Sequence, residues 1–170
     1  MKKHIILLTV AGLLASLSMD AQTVRKTFSF EARVSAGTEF YSQSYGPYYE
    51  LPRTGVLLQA AVGPVVFGAG YETVFVRDAA NEGALNLRLG VRFGTGQLLS
   101  GDVYLLAEKT VKSDYPMPTM SGVGTSLAIR LIGPLHLVGD FRYHYPLFAS
   151  RYEVYRTRAG VVSLGLSCKF

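Results

Sequence analysis

Across residues 85–93 every second side chain is apolar: Leu85, Leu87, Leu89, Val91 and Phe93 alternate with Asn86, Arg88, Gly90 and Arg92. Side chains on an extended strand point to opposite faces with a period of two, so one face here is wholly apolar. The other face carries two guanidinium groups and a glycine. A helix would scatter those arginines around its surface, so the period selects a strand. Similar alternation recurs along the chain, which therefore reads as all-β.

Eight strands can be placed this way. The first covers residues 27–36, with 37–41 as an extension; Phe28, Phe30, Ala32 and Val34 oppose Thr27, Ser29, Glu31, Arg33 and Ser35. A polar, tyrosine-rich loop with Pro47 and Pro52 follows. The second strand (55–62) sets Val56, Leu58, Ala60 and Val62 against Gln59, and the third (65–76) sets Phe67, Ala69, Tyr71 and Phe75 against Gly68, Gly70 and Glu72. The fourth is residues 85–93. The fifth opposes Val103, Leu105 and Ala107 to Asp102, Tyr104 and Glu108. On the sixth (123–131), Val123, Thr125, Leu127, Ile129 and Leu131 oppose Gly124, Ser126, Ala128 and Arg130. The seventh (135–145) places Leu135, Leu137, Phe141, Tyr143 and Tyr145 opposite His136, Asp140, Arg142 and His144. The last sets Val162, Leu164, Leu166, Cys168 and Phe170 against Ser163, Gly165, Ser167 and Lys169. Gly63-Pro64, residues 94–97 and Gly133-Pro134 are short turns, and the other connections are longer. All seven prolines are expected in loops or turns, because proline removes a ladder donor.

Residues 1–21 combine Lys2, Lys3 and His4 with a short apolar run and small residues up to Ala21, the pattern of a secretory signal. The run is too short for a membrane helix. Residues 22–170 are then one barrel domain. Removing 1–21 takes two of the 17 Lys and Arg and one of the 12 Asp and Glu, which leaves a net charge of +4. For an exported chain this basic balance points to an anionic membrane surface and not to nucleic acid. Cys168 is the single cysteine, so neither an internal disulfide nor a thiolate metal cluster is expected.

Alternation does not say which face is inside. A soluble lipocalin-like barrel would enclose the apolar face around a ligand, whereas a membrane barrel turns it to lipid. Strands of this length suit a tilted crossing. Glycine, serine and alanine share the polar face with the charges, as a crowded lumen demands, and tryptophan is absent. The expectation is an eight-stranded antiparallel up-and-down transmembrane β-barrel.

The chain resembles small eight-stranded outer-membrane barrels of the OmpA/OmpX type over roughly residues 25–170. The resemblance rests on strand count, the alternation of short turns with long loops, and the terminal Phe170. It implies periplasmic termini and turns, and four longer loops facing outside. Phe28, Phe30, Phe93 and Phe170 would then lie near the periplasmic rim, and Tyr41, Tyr71, Phe75, Tyr143 and Tyr145 near the outer rim. It also implies that residues 155–170 are read by the barrel assembly machinery through Val162, Leu164, Leu166 and Phe170. Cys168 stands where a larger residue is usual.

The polar faces bring together Glu31, Arg33, Glu72, Arg88, Arg92, Asp102, Glu108, Arg130, Asp140 and Arg142. Five acids against five arginines suggest a lumen closed by ion pairs, because buried charge is tolerated when paired. The alternative is a narrow channel for ions or small solutes. A lipid-modifying barrel enzyme would pair His144 with a serine two residues on, but position 146 is Pro and the next candidate is Ser150. The last loop carries Arg151, Tyr152, Tyr155, Arg156 and Arg158, a surface suited to lipopolysaccharide, another glycan or a partner protein. No cofactor motif is present. The expected role is structural or surface-interactive.

Overall fold

In the computed structural model of the chain, residues 28–42, 48–76, 80–94, 98–112, 119–146 and 158–170 are described. They form β1 (Phe28–Ser42), β2 (Tyr48–Val62), β3 (Val65–Val74), β4 (Glu82–Phe93), β5 (Leu99–Lys112), β6 (Met120–Ile132), β7 (Leu135–Pro146) and β8 (Arg158–Lys169). Each strand pairs antiparallel with its neighbours in chain order, and β8 pairs back onto β1, closing an up-and-down barrel. At the seam the register runs from Glu31↔Lys169 to Ser42↔Arg158. Phe30 and Phe170 exchange backbone hydrogen bonds of 3.0 and 2.8 Å, so the terminal residue is part of the closure.

The tight turns follow from two dipeptides. Gly63 and Gly133 have φ of 59° and 52°, and each is followed by proline. A left-handed first position and a proline at the second match a type II′ turn, whose twist suits antiparallel strands. Val62↔Val65 and Ile132↔Leu135 are accordingly the terminal pairs of their hairpins.

Every strand follows one rule of facing. Phe67, Leu87, Leu105, Leu127, Phe141 and Leu164 stand exposed on the outside, while Glu31, Arg33, Glu72, Asp102, Asp140 and Arg142 are buried within. This inverts a soluble barrel, and an unbroken apolar exterior is stable only in hydrocarbon. Val162, Leu164, Leu166 and Phe170 all face outward and exposed. Phe28, Phe30 and Phe170 lie exposed at the turn end, and Tyr71, Phe75 and Tyr143 at the loop end. Phe93 is half-buried. The side chains of Tyr41 and Tyr145 lie outside the described residues.

Most strands run further toward the loop end than their apolar periods suggest. β2 begins at Tyr48, not at residue 55, β5 continues to Lys112, and β6 opens at Met120. Pro52 is therefore inside a strand, and Pro146 ends another, correcting the expectation that all prolines fall in loops or turns. The exception has a physical reason. The Pro52 carbonyl accepts the Phe75 N–H at 2.9 Å, just beyond the last residue of β3. In an antiparallel pair a residue's N–H and C=O address the same neighbour. The donor that Pro52 lacks thus belongs to the frayed end of the β2–β3 ladder and leaves β1–β2 intact.

Two glycines that flank β7, one on β6 and one on β8, have opposite surroundings. A Cβ on Gly122 would collide with the Tyr143 carbonyl oxygen, whereas one on Gly160 would meet nothing within 4 Å. Gly122→Ala is expected to destabilise the refolded barrel by about 1–3 kcal/mol through forced backbone movement. Gly160→Ala should be neutral or stabilising by about 0.4–1 kcal/mol, because it restricts the unfolded chain. Urea midpoints of the two variants in detergent micelles check both signs.

Candidate functional site

The inward side chains of β1–β5, β7 and β8 build one charged network along the lumen. At the turn end Arg92 bonds Asp102 through Nε (2.8 Å) and Glu31 through Nη2 (2.9 Å). Arg33 donates to the same Glu31 at 2.9 Å, and Lys169 lies 3.8 Å from it. Gln59 donates to Asp102 at 2.9 Å, and Lys169 also donates to Ser100 at 2.7 Å. The β1–β8 and β4–β5 pairings bring these groups together, because Glu31 sits opposite Lys169 and Arg92 opposite Asp102.

Asp140 occupies the middle. It accepts from Arg88 at 2.9 Å, from the Tyr104 hydroxyl at 2.7 Å and from Arg33 at 3.4 Å, and Arg142 Nε lies 3.1 Å away. The Arg88 guanidinium stands 4.6 Å from the Tyr104 ring centroid, a cation–π contact. Tyr104 is held over Gly124, where a Cβ would sit 2.5 Å from its ring carbon Cζ. The glycine on β6 thus makes room for the aromatic ring on β5.

Toward the loop end Glu72 is the hub. Arg142 grips it with two hydrogen bonds of 2.7 and 2.9 Å, Arg53 Nε lies 3.0 Å away, and Asn86 donates at 3.2 Å. Arg53 also binds Glu39 at 2.7 Å and Glu108 at 2.9 Å. His144 Nδ1 is 3.9 Å from Glu108 Oε1. Paired and forked contacts of this kind are the strong ones, and they set geometry as well as charge. Taken together, Glu31, Glu39, Glu72, Asp102, Glu108 and Asp140 face Arg33, Arg53, Arg88, Arg92, Arg142 and Lys169, six charges against six. Each acid is linked to the next through a shared cation, so the network runs unbroken from Lys169 to Glu39.

Nine of the ten charges expected in the lumen join the network through the pairs above, and Arg130 lies at the turn-end rim, where its Nε donates to the Gly133 carbonyl at 2.8 Å. Arg130 still pairs with His136 in the regular register, three residues before Gly133. Glu39, Arg53, Gln59, Asn86, Tyr104 and Lys169 are the additions. Gln59, Asn86, Tyr104 and Lys169 already alternate on polar faces in the sequence. Glu39 and Arg53 lie in the loop-end extensions of β1 and β2, where continuing the period of two by a few steps reaches them.

His144 faces the lumen, wholly buried beside Glu108. Arg151, Tyr152, Tyr155, Arg156 and Ser150 lie outside the described residues. Arg158 opens β8 opposite Ser42. Among the described residues no three His, Cys, Asp or Glu side chains are grouped to hold a metal ion.

No protein-family model matches the chain, and no curated protein sequence matches it. Solved structures do match in fold. Neisserial surface protein A superposes with a TM-score of 0.60 at 18% identity, covering 83% of this chain and 97% of that one. Ail, the attachment invasion locus protein of Yersinia pestis, gives 0.60 at 8% identity, covering 84% and 98%. A second Ail structure, in complex with the heparin analogue sucrose octasulfate, gives 0.59 at 11% identity, covering 84% and 99%. The shared feature is the small eight-stranded outer-membrane barrel.

Asp140 makes the sharpest test of the network. Asp140→Asn removes the carboxylate shared by Arg33, Arg88 and Arg142 and leaves the network with one buried positive charge in excess. A loss of about 3–5 kcal/mol is expected, read from the urea midpoint of the refolded protein.

Proposed function

We propose that this protein is an outer-membrane barrel with a structural or surface-interaction role, its lumen closed to solutes by ion pairs. The continuous charged network carries the reading. An eight-stranded barrel is only just wide enough for its own side chains, and here those side chains are bonded across the lumen from end to end. A solute would have to part several buried pairs, each costing about 3–5 kcal/mol to break from one side. The apolar exterior, the secretory-signal pattern of residues 1–21 and the fold shared with a Neisserial surface protein and with Ail support the outer membrane as location. In that membrane the lipid and lipopolysaccharide contact the exterior, and the barrel assembly machinery reads the exposed Val162, Leu164, Leu166 and Phe170.

The surface role is assigned to the longer loops, above all residues 151–158. Arg151, Arg156 and Arg158 interleave with Tyr152 and Tyr155, a pairing suited to sulfate or phosphate oxygens on a sugar scaffold. That Ail has been solved with a sulfated sugar supports the same chemistry for this barrel. Replacing Arg151, Arg156 and Arg158 together by Ser is expected to weaken binding of a sulfated oligosaccharide by about tenfold or more. Binding is read on the refolded protein by calorimetry at fixed salt, and unchanged affinity would sink the assignment. In planar bilayers the wild-type barrel should show no stable conductance steps; steady single-channel steps would favour the narrow channel instead.

A further inference from the structure

The apolar exterior is not smooth. Between two cross-strand rows of side chains on β3–β7 lies a furrow of about 560 Å³. Its wall on the turn side is one unbroken line of register partners, Val65–Val91–Val103–Thr125–Phe141. The wall on the loop side is set by Leu89, Leu105 and Val123, likewise partners in register. The floor is the backbone of Gly90, Tyr104 and Gly124, which pair with one another while the Tyr104 side chain turns into the lumen. A volume of this size falls within the range of about 300–1,000 Å³ typical of small-ligand sites.

The furrow also climbs. Val65 opens β3 directly after the Gly63-Pro64 turn, and Val91 lies two residues before the end of β4. Val103 is four residues after the start of β5, and Phe141 six after the start of β7. On strands tilted by about 40° and rising about 3.4 Å per residue, the last offset lifts Phe141 about 15 Å above the turn end. That is half of a hydrocarbon core about 30 Å thick. The furrow therefore begins at the turn-end interface and ends at Phe141 near the midplane, spanning one leaflet.

Its chemistry selects an apolar chain. None of the lining residues is charged, and with Tyr104 turned inward the Thr125 hydroxyl is the one polar side-chain group in the walls. The backbone of the floor is already bonded in the ladder, so a polar ligand would lose its hydration without gaining a partner. Val65, Val91, Val103, Val123 and Thr125 are β-branched and stiff at χ1, which keeps the walls apart before anything binds. Eleven residues line the furrow, against about 20–30 a side in a stable protein–protein interface. Its size therefore fits a single chain of lipid and not a second barrel. We propose that the furrow seats one acyl chain of a phospholipid from the turn-end leaflet, a fixed lipid site within the apolar belt. This rests on the membrane reading of the barrel given above.

The test is native mass spectrometry of the refolded full chain, released from detergent micelles that contain dipalmitoyl phosphatidylethanolamine. One lipid per barrel is expected to stay bound after the loosely held ones are stripped. Thr125→Phe fills the furrow from its wall and should lower retention about tenfold or more, through the methylenes it displaces. Val103→Phe is the second filler, with the same expected loss. Val56→Phe, on the exposed outer face of β2 and away from the furrow, should leave retention unchanged. With wild-type protein, dioctanoyl phosphatidylethanolamine should bind about tenfold more weakly or less, because it leaves the inner part of the furrow empty. Undiminished retention in both fillers, equal binding of the two lipids, or a dimer in place of the bound lipid would overturn the proposal. Insertion of the same proteins into vesicles, read by their heat-dependent gel shift, separates this from the reading beneath it. A chain that does not insert overturns both, and one that inserts but holds no lipid overturns the furrow alone.

Discussion

A peptide N–H in hydrocarbon has no partner except another part of the chain, and each one left open costs several kcal/mol. That constraint explains why the sheet closes. Eight strands with an apolar exterior could not end in a free edge, so β8 returns to β1 and the Phe30–Phe170 exchange seals the last pair. It also explains the position of Pro52. The donor it lacks falls beyond β3, at the loop end, where the β2–β3 ladder is already open.

Closure in turn dictates the interior. Eight strands leave room for side chains and little else, so polar groups turned inward must satisfy one another. The result is a shared-cation chain whose central acids each meet several bases: Glu72 meets Arg53, Arg88 and Arg142, and Asp140 meets Arg33, Arg88 and Arg142. Buried pairs add little net stability relative to apolar packing, but they enforce strand register. A one-residue slip of β4 would turn Arg88 and Arg92 into lipid, at about 2–4 kcal/mol for a charge near the midplane and less toward the turn end. The ion pairs and the apolar belt thus specify the same alignment from opposite faces.

Strand number, order and facing were legible because all of them are written in a period of two. Phe67, Leu87 and Leu164 face outward, and Glu31, Arg88 and Asp140 inward, as their alternation demands. Strand ends were less legible. Near the loop end the apolar face gives way to Thr54, Thr38 and Glu50, so the hydrophobic signal fades while the ladder continues. Glu39 and Arg53 were hidden by that fading, and Pro52 strengthened the reading of a loop. Arg130 alternates regularly and pairs with His136 in register, and its place three residues before Gly133 puts it at the turn-end rim. Which cation meets which acid depends on distances across the lumen, and linear spacing carries none of that.

The two Gly-Pro turns bear on the order in which the barrel forms. Val62 and Val65, like Ile132 and Leu135, are separated by two residues, a glycine that takes the positive φ the turn needs and a proline whose φ is already fixed. Closing such a short loop sacrifices little chain entropy, whereas joining Glu31 to Lys169 closes nearly the whole chain. Contacts near in sequence form early and distant ones late. The β2–β3 and β6–β7 hairpins are thus the natural seeds of assembly, one in each half of the molecule, and zipping of β1 to β8 is its final event. Until then the two seam strands carry open edges, the interval in which an unassembled barrel is most exposed to wrong partners.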